Sequence, residues 1–367
     1  MGLYLGSSEK LKISMVDGSS HLTIYSRFEN PIKTWDISDT EEDNVIAKLY
    51  IDPNNEGMYS LIIEGNGKMI DYSNVRTIPW RMDNNNYAKN IGSVIINKGI
   101  TNIGRYAFQG LYNMTSIYIP DGVVEFGPYA LSNCSSLTSI SIPDGVTKIG
   151  ASSFSQCTSL TSINIPSSIT SLSTEMFCDC SSLTSINIPS SVTTIRDYTF
   201  CDCTSLISIN IPNTVKTIGI QVFRDCSNLI SVNLPSSITT INSYMFYGCS
   251  SLTSIVIPNK VSSIGPSAFS GCSSLTSIVI PNKVSSIGEL AFYGCSNLTA
   301  INIPSGVTSI KSYTFGKCTK LLEINYAGTI TQWKSIEFGN NWNDSTGNYT
   351  IYCTDGDIAK DGTITYH

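Results

Sequence analysis

Residues 134–156 have the sequence CSSLTSISIPDGVTKIGASSFSQ, and this pattern of 23 residues recurs along most of the chain. Cysteine returns at the same interval nine times, from Cys134 to Cys318, and proline and phenylalanine keep columns of their own. Residues 248–265 and 271–288 are identical. A fixed period of this length indicates a solenoid, in which each unit buries its apolar side against the next unit.

One unit predicts the shape of a turn. Ile140 and Ile142 are two residues apart, so they share the inward face of a short strand, and the serines beside them face solvent. The proline that follows ends the strand, because it has no N–H to donate. Residues 146–154 then suit a tight return segment, either 3₁₀ or extended. The chain is therefore predicted to be a β-rich, right-handed solenoid of about eleven turns with a parallel sheet on one face.

The repeated pattern Leu-x-x-Ile-x-Ile-Pro-x-x-Val-x-x-Ile-Gly-x-x-x-Phe-x-x-Cys resembles the BspA-like class of leucine-rich repeats over residues 91–326. Repeats of this class occur in surface proteins that engage host proteins or other cells. The resemblance therefore implies a non-catalytic binding or adhesion module at the cell surface or outside the cell. Its expected partner is a protein or a glycan, including one derived from a host.

The chain outside the repeats is predicted to cap the solenoid, because a parallel stack exposes a strand edge at each end. Residues 45–90 are assigned to an N-terminal cap with a hairpin that turns at Gly65-Asn66-Gly67. Residues 327–367 are assigned to a C-terminal cap, in which Trp333, Phe338 and Trp342 cover the last turn. Residues 1–44 belong to neither cap and form an appendage of unclear role.

The N-terminal appendage carries an alternative function. Residues 4–13 resemble a leader found on proteins from prophage-like loci, which favours a structural or receptor-binding component of a phage particle, virion-associated or cytoplasmic. A small β extension of the cap is an equal alternative. No signal peptide is recognisable at the N-terminus, and no apolar run approaches the length of a membrane span.

Composition argues against several other classes. The net charge of −6 argues against nucleic-acid binding, which needs a basic face. Histidine, the commonest general base, occurs only at His21 and His367, and no nucleophile elbow or phosphate loop is found. We therefore expect a monomer that is not an enzyme and that holds no cofactor and no metal.

The cysteines divide into two groups. The nine in the regular column are expected to be small core side chains. Cys178 and Cys201 occupy a column that otherwise holds polar or aromatic residues and is predicted to face solvent. Adjacent turns place them about 5 Å apart, within the range of a disulfide. Two free thiols are the first expectation, a Cys178–Cys201 disulfide the second, and a four-cysteine zinc site with Cys180 and Cys203 the third.

The outward columns of the predicted sheet are the candidate binding surface, expected on the concave face. They carry uncharged hydrogen-bonding groups that suit a polypeptide or a carbohydrate, and apolar residues interrupt them only near the two ends. The competing interpretation is that serine and asparagine only fill a solvated sheet face. The candidate residues are Tyr118, Ser162, Asn164, Ser185, Asn187, Ser208, Asn210, Ser231, Asn233, Val256 and Val279.

Overall fold

The computed structural model describes residues 30–82 and 85–367. The predicted leader and His21 lie outside the described residues. Residues 30–44, which the sequence assigned to a separate appendage, lie in the N-terminal cap. Strand Lys33–Asp36 pairs antiparallel with Asn44–Ile51, and Ile37 is buried in the core. The predicted boundary at residue 44 therefore cuts through one sheet.

The hairpin of the N-terminal cap turns at a different place from the one predicted. Strands Asn44–Ile51 and Tyr59–Lys68 are antiparallel, and residues 52–58 connect them. Gly65-Asn66-Gly67 lies inside the second strand. Gly65 has φ +110°, and a Cβ there would collide with the Asn44 carbonyl oxygen, so only glycine allows the bend at this point. Before the bend, this strand pairs in parallel with strand Ile91–Ile96, and past the bend it pairs in parallel with strand Ile100–Ile103.

The repeats build two parallel ladders of short strands. The first ladder contains the strands predicted from the Leu-x-x-Ile-x-Ile pattern, and the second contains the segment after the proline. The first ladder comprises Ile91–Ile96, Ser116–Tyr118, Ser139–Ile140, Ser162–Ile163, Ser208–Asn210, Ser231–Asn233, Ser277–Val279, Ala300–Ile303, Glu323–Tyr326 and Thr350–Cys353. The second ladder comprises Ile100–Ile103, Glu125–Phe126, Lys148–Ile149, Ser171–Leu172, Thr194–Ile195, Thr217–Ile218, Thr240–Ile241, Ser263–Ile264, Ser286–Ile287, Ser309–Ile310 and Glu337–Phe338.

The second ladder adds a further parallel sheet to the one predicted. Thr194–Ile195 pairs in parallel with Thr217–Ile218, one repeat later in the chain, so the segment after the proline takes the extended form of the two alternatives that the sequence left open. Ile195 is buried while the neighbouring Thr194 is only half-buried, as expected for a strand with one side on the core. Eleven second-ladder strands lie within the described residues, in agreement with the predicted solenoid of about eleven turns.

The third side of each turn is a return segment without strands. In the turn at 127–134, Tyr129 and Asn133 have φ values of 59° and 60°, in the left-handed region that residues other than glycine rarely adopt. The N–H of Tyr129 donates to the Ala151 carbonyl at 2.9 Å, and that of Asn133 donates to the Ser155 carbonyl at 2.7 Å. These bonds to the following turn stabilise the unusual backbone, and the same pattern recurs along the solenoid.

The core runs continuously along the solenoid. From Phe154 to Phe315 the phenylalanine rings stack with centroids 5.3–5.8 Å apart. The nine column cysteines are buried, and each thiol donates to a carbonyl in the preceding turn, as Cys134 does to Phe108 at 3.2 Å. Cysteine therefore fills this column as a small apolar side chain that also satisfies a buried acceptor.

The C-terminal cap closes both ladders. Helix Ile330–Lys334 begins with a capping box between Thr329 and Gln332. Trp333, Phe338 and Trp342 contact one another, and Trp342 packs against Phe315 of the last regular turn. Strand Thr350–Cys353 extends the first ladder in parallel, and the antiparallel strands Gly356–Ala359 and Ile364–Tyr366 end it. The short helices Val75–Thr77, Pro79–Met82 and Tyr87–Asn90 belong to the N-terminal cap.

Candidate binding surface

The structure places the sequence-predicted residues on the outward side of the first ladder. Ten of the eleven candidates are exposed there, from Ser162 to Val279, and Tyr118 is half-buried. The columns are in register, as Asn210 lies opposite Asn233 and Asn164 opposite Asn187. Tyr118 lies six turns from Val256, about 30 Å along the stack, so it belongs to a different part of the surface.

Part of this polar face is satisfied within the protein. The Asn233 side chain donates to the Asn210 side chain at 3.4 Å. The Thr299 hydroxyl donates to the Thr276 carbonyl of the preceding turn at 3.1 Å. Hydrogen bonds between identical residues of adjacent turns therefore satisfy these polar groups without a ligand. This agrees with the competing interpretation, in which the polar residues only fill a solvated sheet face.

Sequence reasoning missed a third exposed column on this face. The residue before each first-ladder serine from Ser139 to Ser277 is also exposed, although the leucine that precedes it is buried. Threonine dominates this column, but Ile207 and Ile230 are 50% and 48% exposed in adjacent turns. The signal was present in the sequence, because Leu-Ile-Ser replaces the usual Leu-Thr-Ser in these two repeats.

The C-terminal half of the first ladder carries the most distinctive surface. Val279, Asn302, Asn325 and Tyr352 lie side by side on consecutive strands, and Val256 precedes them in the same column. We call these five residues the groove patch. Val256 is 83% exposed and Val279 61% exposed. Neither Asn302 nor Asn325 has a side-chain hydrogen bond to another described residue.

A groove of about 260 Å³ runs beside this patch. Val279, Asn302 and Asn325 line it together with the neighbouring Ile280, Asn282, Ile303, Pro304, Tyr326 and Ala327. Apolar side chains and unpaired amides thus meet at one concave place, which is the usual composition of a binding site.

A larger cavity of about 670 Å³ lies in the N-terminal cap. Its lining is mostly apolar side chains of the cap, such as Ile32, Ile51 and Met58. Asn85 also lines it, and residues 83–84, which directly precede Asn85 in the chain, lie outside the described residues. The groove patch is therefore the better-defined candidate.

Cys178 and Cys201 form a disulfide with their Cα atoms 4.7 Å apart. This is the second of the three states that the sequence left open, and two free thiols, the first expectation, are not what the structure contains. The prediction that their column faces solvent is wrong in part: Cys201 is buried, as are Ser132 and Ser155. Small side chains in this column are covered because successive return segments lie close together.

The disulfide lies beside a charged cluster. Arg224 contacts Asp202 at 3.0 Å and Asp225 at 2.9 Å. Burial, with Asp179 and Asp225 nearby, raises the pKa of Asp202 despite the attraction of Arg224. Among the described residues, Cys178, Cys201 and Asp202 are the only three potential metal ligands that lie together. Bonded sulfurs are not thiolates, so this arrangement does not fit a zinc site.

None of the described helices combines the length and the apolar character that a membrane crossing requires.

A family model described as BspA type leucine rich repeat region matches six copies, over residues 83–207, 193–322 and 239–351. These matches together span residues 83–351, well over half of the chain. None of the curated proteins matches.

Several solved structures are similar to this chain. A leucine rich cell surface protein from Faecalibacterium prausnitzii is 27% identical, with 79% of this chain and 96% of that chain covered and a TM-score of 0.48. A leucine-rich repeat protein from Bacteroides ovatus is 24% identical, with 83% and 98% covered and a TM-score of 0.43. One from Eubacterium ventriosum is 23% identical, with 90% and 99% covered and a TM-score of 0.42. The family assignment rests on the family model and not on these structures.

Proposed function

Because the chain belongs to the BspA-type leucine-rich repeat family, we propose that it is a non-catalytic binding module that engages a protein partner through the groove patch. The solenoid supplies a rigid, elongated support, and the first ladder presents side chains from successive turns at regular spacing. The function of the surface then depends on which residues occupy the outward columns.

The observation that carries this proposal is the exposure of Val256 and Val279 beside the groove. Most residues of the outward columns are polar, whereas these two present more than half of their aliphatic surface to water. Burial of a valine side chain against a partner contributes about 1.5–3 kcal/mol. Asn302 and Asn325 add amide groups that can both donate and accept hydrogen bonds. The combination favours a surface that binds a partner over a solvated face that carries no specific function.

We place this binding module at the cell surface, as the family resemblance implies. Mass spectrometry of surface, secreted, cytosolic and phage-particle fractions tests the assignment, with enrichment in the surface fraction expected. Enrichment in phage particles would instead favour the virion alternative. That alternative rests on residues outside the described part of the chain and stays a prediction.

Selection of displayed dodecapeptides on the full chain tests the binding surface. We expect the selected peptides to bind the wild-type protein and to lose at least about tenfold in affinity for Val256→Ser/Val279→Ser, since two buried valines are lost. The matched control is Val124→Ser/Ile220→Ser, which removes two other exposed aliphatic side chains, 47% and 37% exposed, away from the groove. Peptides that bind both variants and the wild type equally would refute the proposal.

A further inference from the structure

The two valines of the groove patch lie in a part of the chain with an unusual charge distribution, whereas Glu323 is exposed on the strand of Asn325 at the other end of the patch. Between residues 226 and 288 the only charged residues are Lys260 and Lys283, although the whole chain has a net charge of −6. Each lysine follows a groove-patch valine by four residues, because the two units are identical in sequence. Both lysines therefore lie in the turn that follows the valine-bearing segment, in successive repeats.

These lysines have no partner within the described residues. Lys260 and Lys283 are exposed, as is Lys216, which precedes the second-ladder strand Thr217–Ile218 two turns before Lys260. Lys148 and Lys311, by contrast, contact Glu125 and Glu337. Lys260 and Lys283 thus leave two ammonium groups without an ion-pair partner among the described residues, in the turns that follow Val256 and Val279, and Lys216 adds a third two turns earlier.

We infer that the groove patch takes an extended acidic polypeptide segment, a conclusion that rests on the proposed binding function. Carboxylates of the segment meet the unpaired lysines, and its aliphatic side chains cover Val256 and Val279. Its backbone amides exchange hydrogen bonds with Asn302 and Asn325, because an asparagine side chain both donates and accepts. Complementary charge steers the encounter and fixes the orientation of the segment.

The valines decide between a polypeptide and an anionic polysaccharide. A polyuronate offers carboxylates to the lysines but presents mainly hydroxyl groups elsewhere, so 83% and 61% exposed valine side chains would have no apolar counterpart. A polypeptide with alternating acidic and aliphatic side chains supplies both. Three lysines on an acidic chain are also too few for the phosphate contacts of a nucleic acid.

The test uses the full chain and three labelled probes: a peptide of alternating glutamate and valine, its lysine–valine counterpart, and polygalacturonate. Fluorescence anisotropy measures binding at low and high salt. We expect the glutamate–valine peptide to bind most tightly and to bind more weakly at high salt. Lys216→Glu/Lys260→Glu/Lys283→Glu should weaken its binding by about tenfold or more, since three attractions become repulsions.

The control variant is Lys68→Glu/Lys89→Glu/Lys98→Glu, which makes the same change in net charge at exposed lysines in the N-terminal part of the chain, away from the groove. Equal losses in both triple variants, or no binding of the glutamate–valine peptide, would overturn the inference. Tighter binding of polygalacturonate than of the peptide would also overturn it. The proposed function would survive these outcomes if the display-selected peptides still required Val256 and Val279, and it would fail if they did not.

Discussion

The inward columns of the solenoid and the outward side of its first ladder share one period of 23 residues but differ in how much they vary. The inward phenylalanine and cysteine columns change little from turn to turn. The outward columns change from serine and asparagine to valine, and then to asparagine and tyrosine. Uniform columns indicate that each turn contributes a similar stabilisation, whereas the variable columns concentrate recognition in a few turns. The predictions below test this division, from the largest expected effect to the smallest.

The buried thiols predict a steep loss of stability at alkaline pH. Burial raises the pKa of Cys157 to about 12, and the other column cysteines shift in the same direction from the model-compound value of 9.0. The unfolded thiols ionise near pH 9 while the folded ones stay neutral. Their stabilisation is therefore fully present below pH 9 and is lost as the pH rises towards 12.

Each thiol that ionises only on unfolding changes stability by about 1.4 kcal/mol per pH unit. Thermal unfolding between pH 7 and 10.5 should show a falling Tm above pH 9, with up to roughly nine protons released per molecule. The variant Cys157→Ala/Cys226→Ala/Cys272→Ala should release about a third fewer protons, whatever its stability at pH 7. A Tm that does not change from pH 8 to pH 10.5 would show that the thiols are not buried in this way.

The phenylalanine stack predicts that equal substitutions in different turns cost the same. Phe177→Ala, Phe246→Ala and Phe292→Ala each remove a fully buried ring with stacked neighbours, so each should lower the free energy of unfolding by about 3–5 kcal/mol. Val256→Ala on the outward side is the control, and urea titration measures all four variants. A cost confined to one of the three turns would contradict a stabilisation shared evenly among the turns.

The Cys178–Cys201 disulfide is an exception among the uniform turns, since it joins two return segments covalently. A cross-link that closes a loop of this length stabilises by about 3 kcal/mol. Cys178→Ser/Cys201→Ser should therefore unfold at lower urea than the wild type. Reductant should destabilise the wild type and leave the double variant unchanged, whereas an equal effect on both proteins would indicate that the bond is absent in solution.

The exposed side chains of the second ladder should contribute little to the stability of the protein or to binding. The Thr193 hydroxyl donates to the Thr170 carbonyl at 3.3 Å, which already accepts the Thr193 N–H. Thr193→Val keeps the shape of the side chain and should change stability by less than about 1 kcal/mol, because one exposed and redundant hydrogen bond is lost. Binding of the selected peptides should stay the same. Loss of peptide binding in this variant would show that the contact surface extends to the second ladder.

The sequence predicted the solenoid and its inward columns because the strict period leaves one way to stack the turns. It also placed Val256 and Val279 on an exposed face, since Ile255 and Ile278 beside them had to be buried. The segment of the second ladder was left as either 3₁₀ or extended, because strands of two residues leave no alternation to detect. The glycines at 65–67 were assigned to a turn because a bend within a strand uses the same residues as a hairpin.

Other parts of the candidate site depend on contacts that a single sequence does not contain. Tyr352 joins the groove patch although it follows Asn325 by 27 residues rather than 23, because the two residues still pair. The state of Cys178 and Cys201 depends on the direction of their side chains within the return segments. Ile207 and Ile230 were recognisable in the sequence. The exposure of their column was not, because it depends on the path of the chain between the buried leucine and the strand.

One double variant tests the division between interior and surface most directly. Val256→Ser/Val279→Ser should unfold within about 0.5 kcal/mol of the wild type, because both side chains are exposed. The same protein should bind the display-selected peptides at least about tenfold more weakly. Unchanged binding, or a loss of stability comparable to that of the phenylalanine variants, would contradict the account.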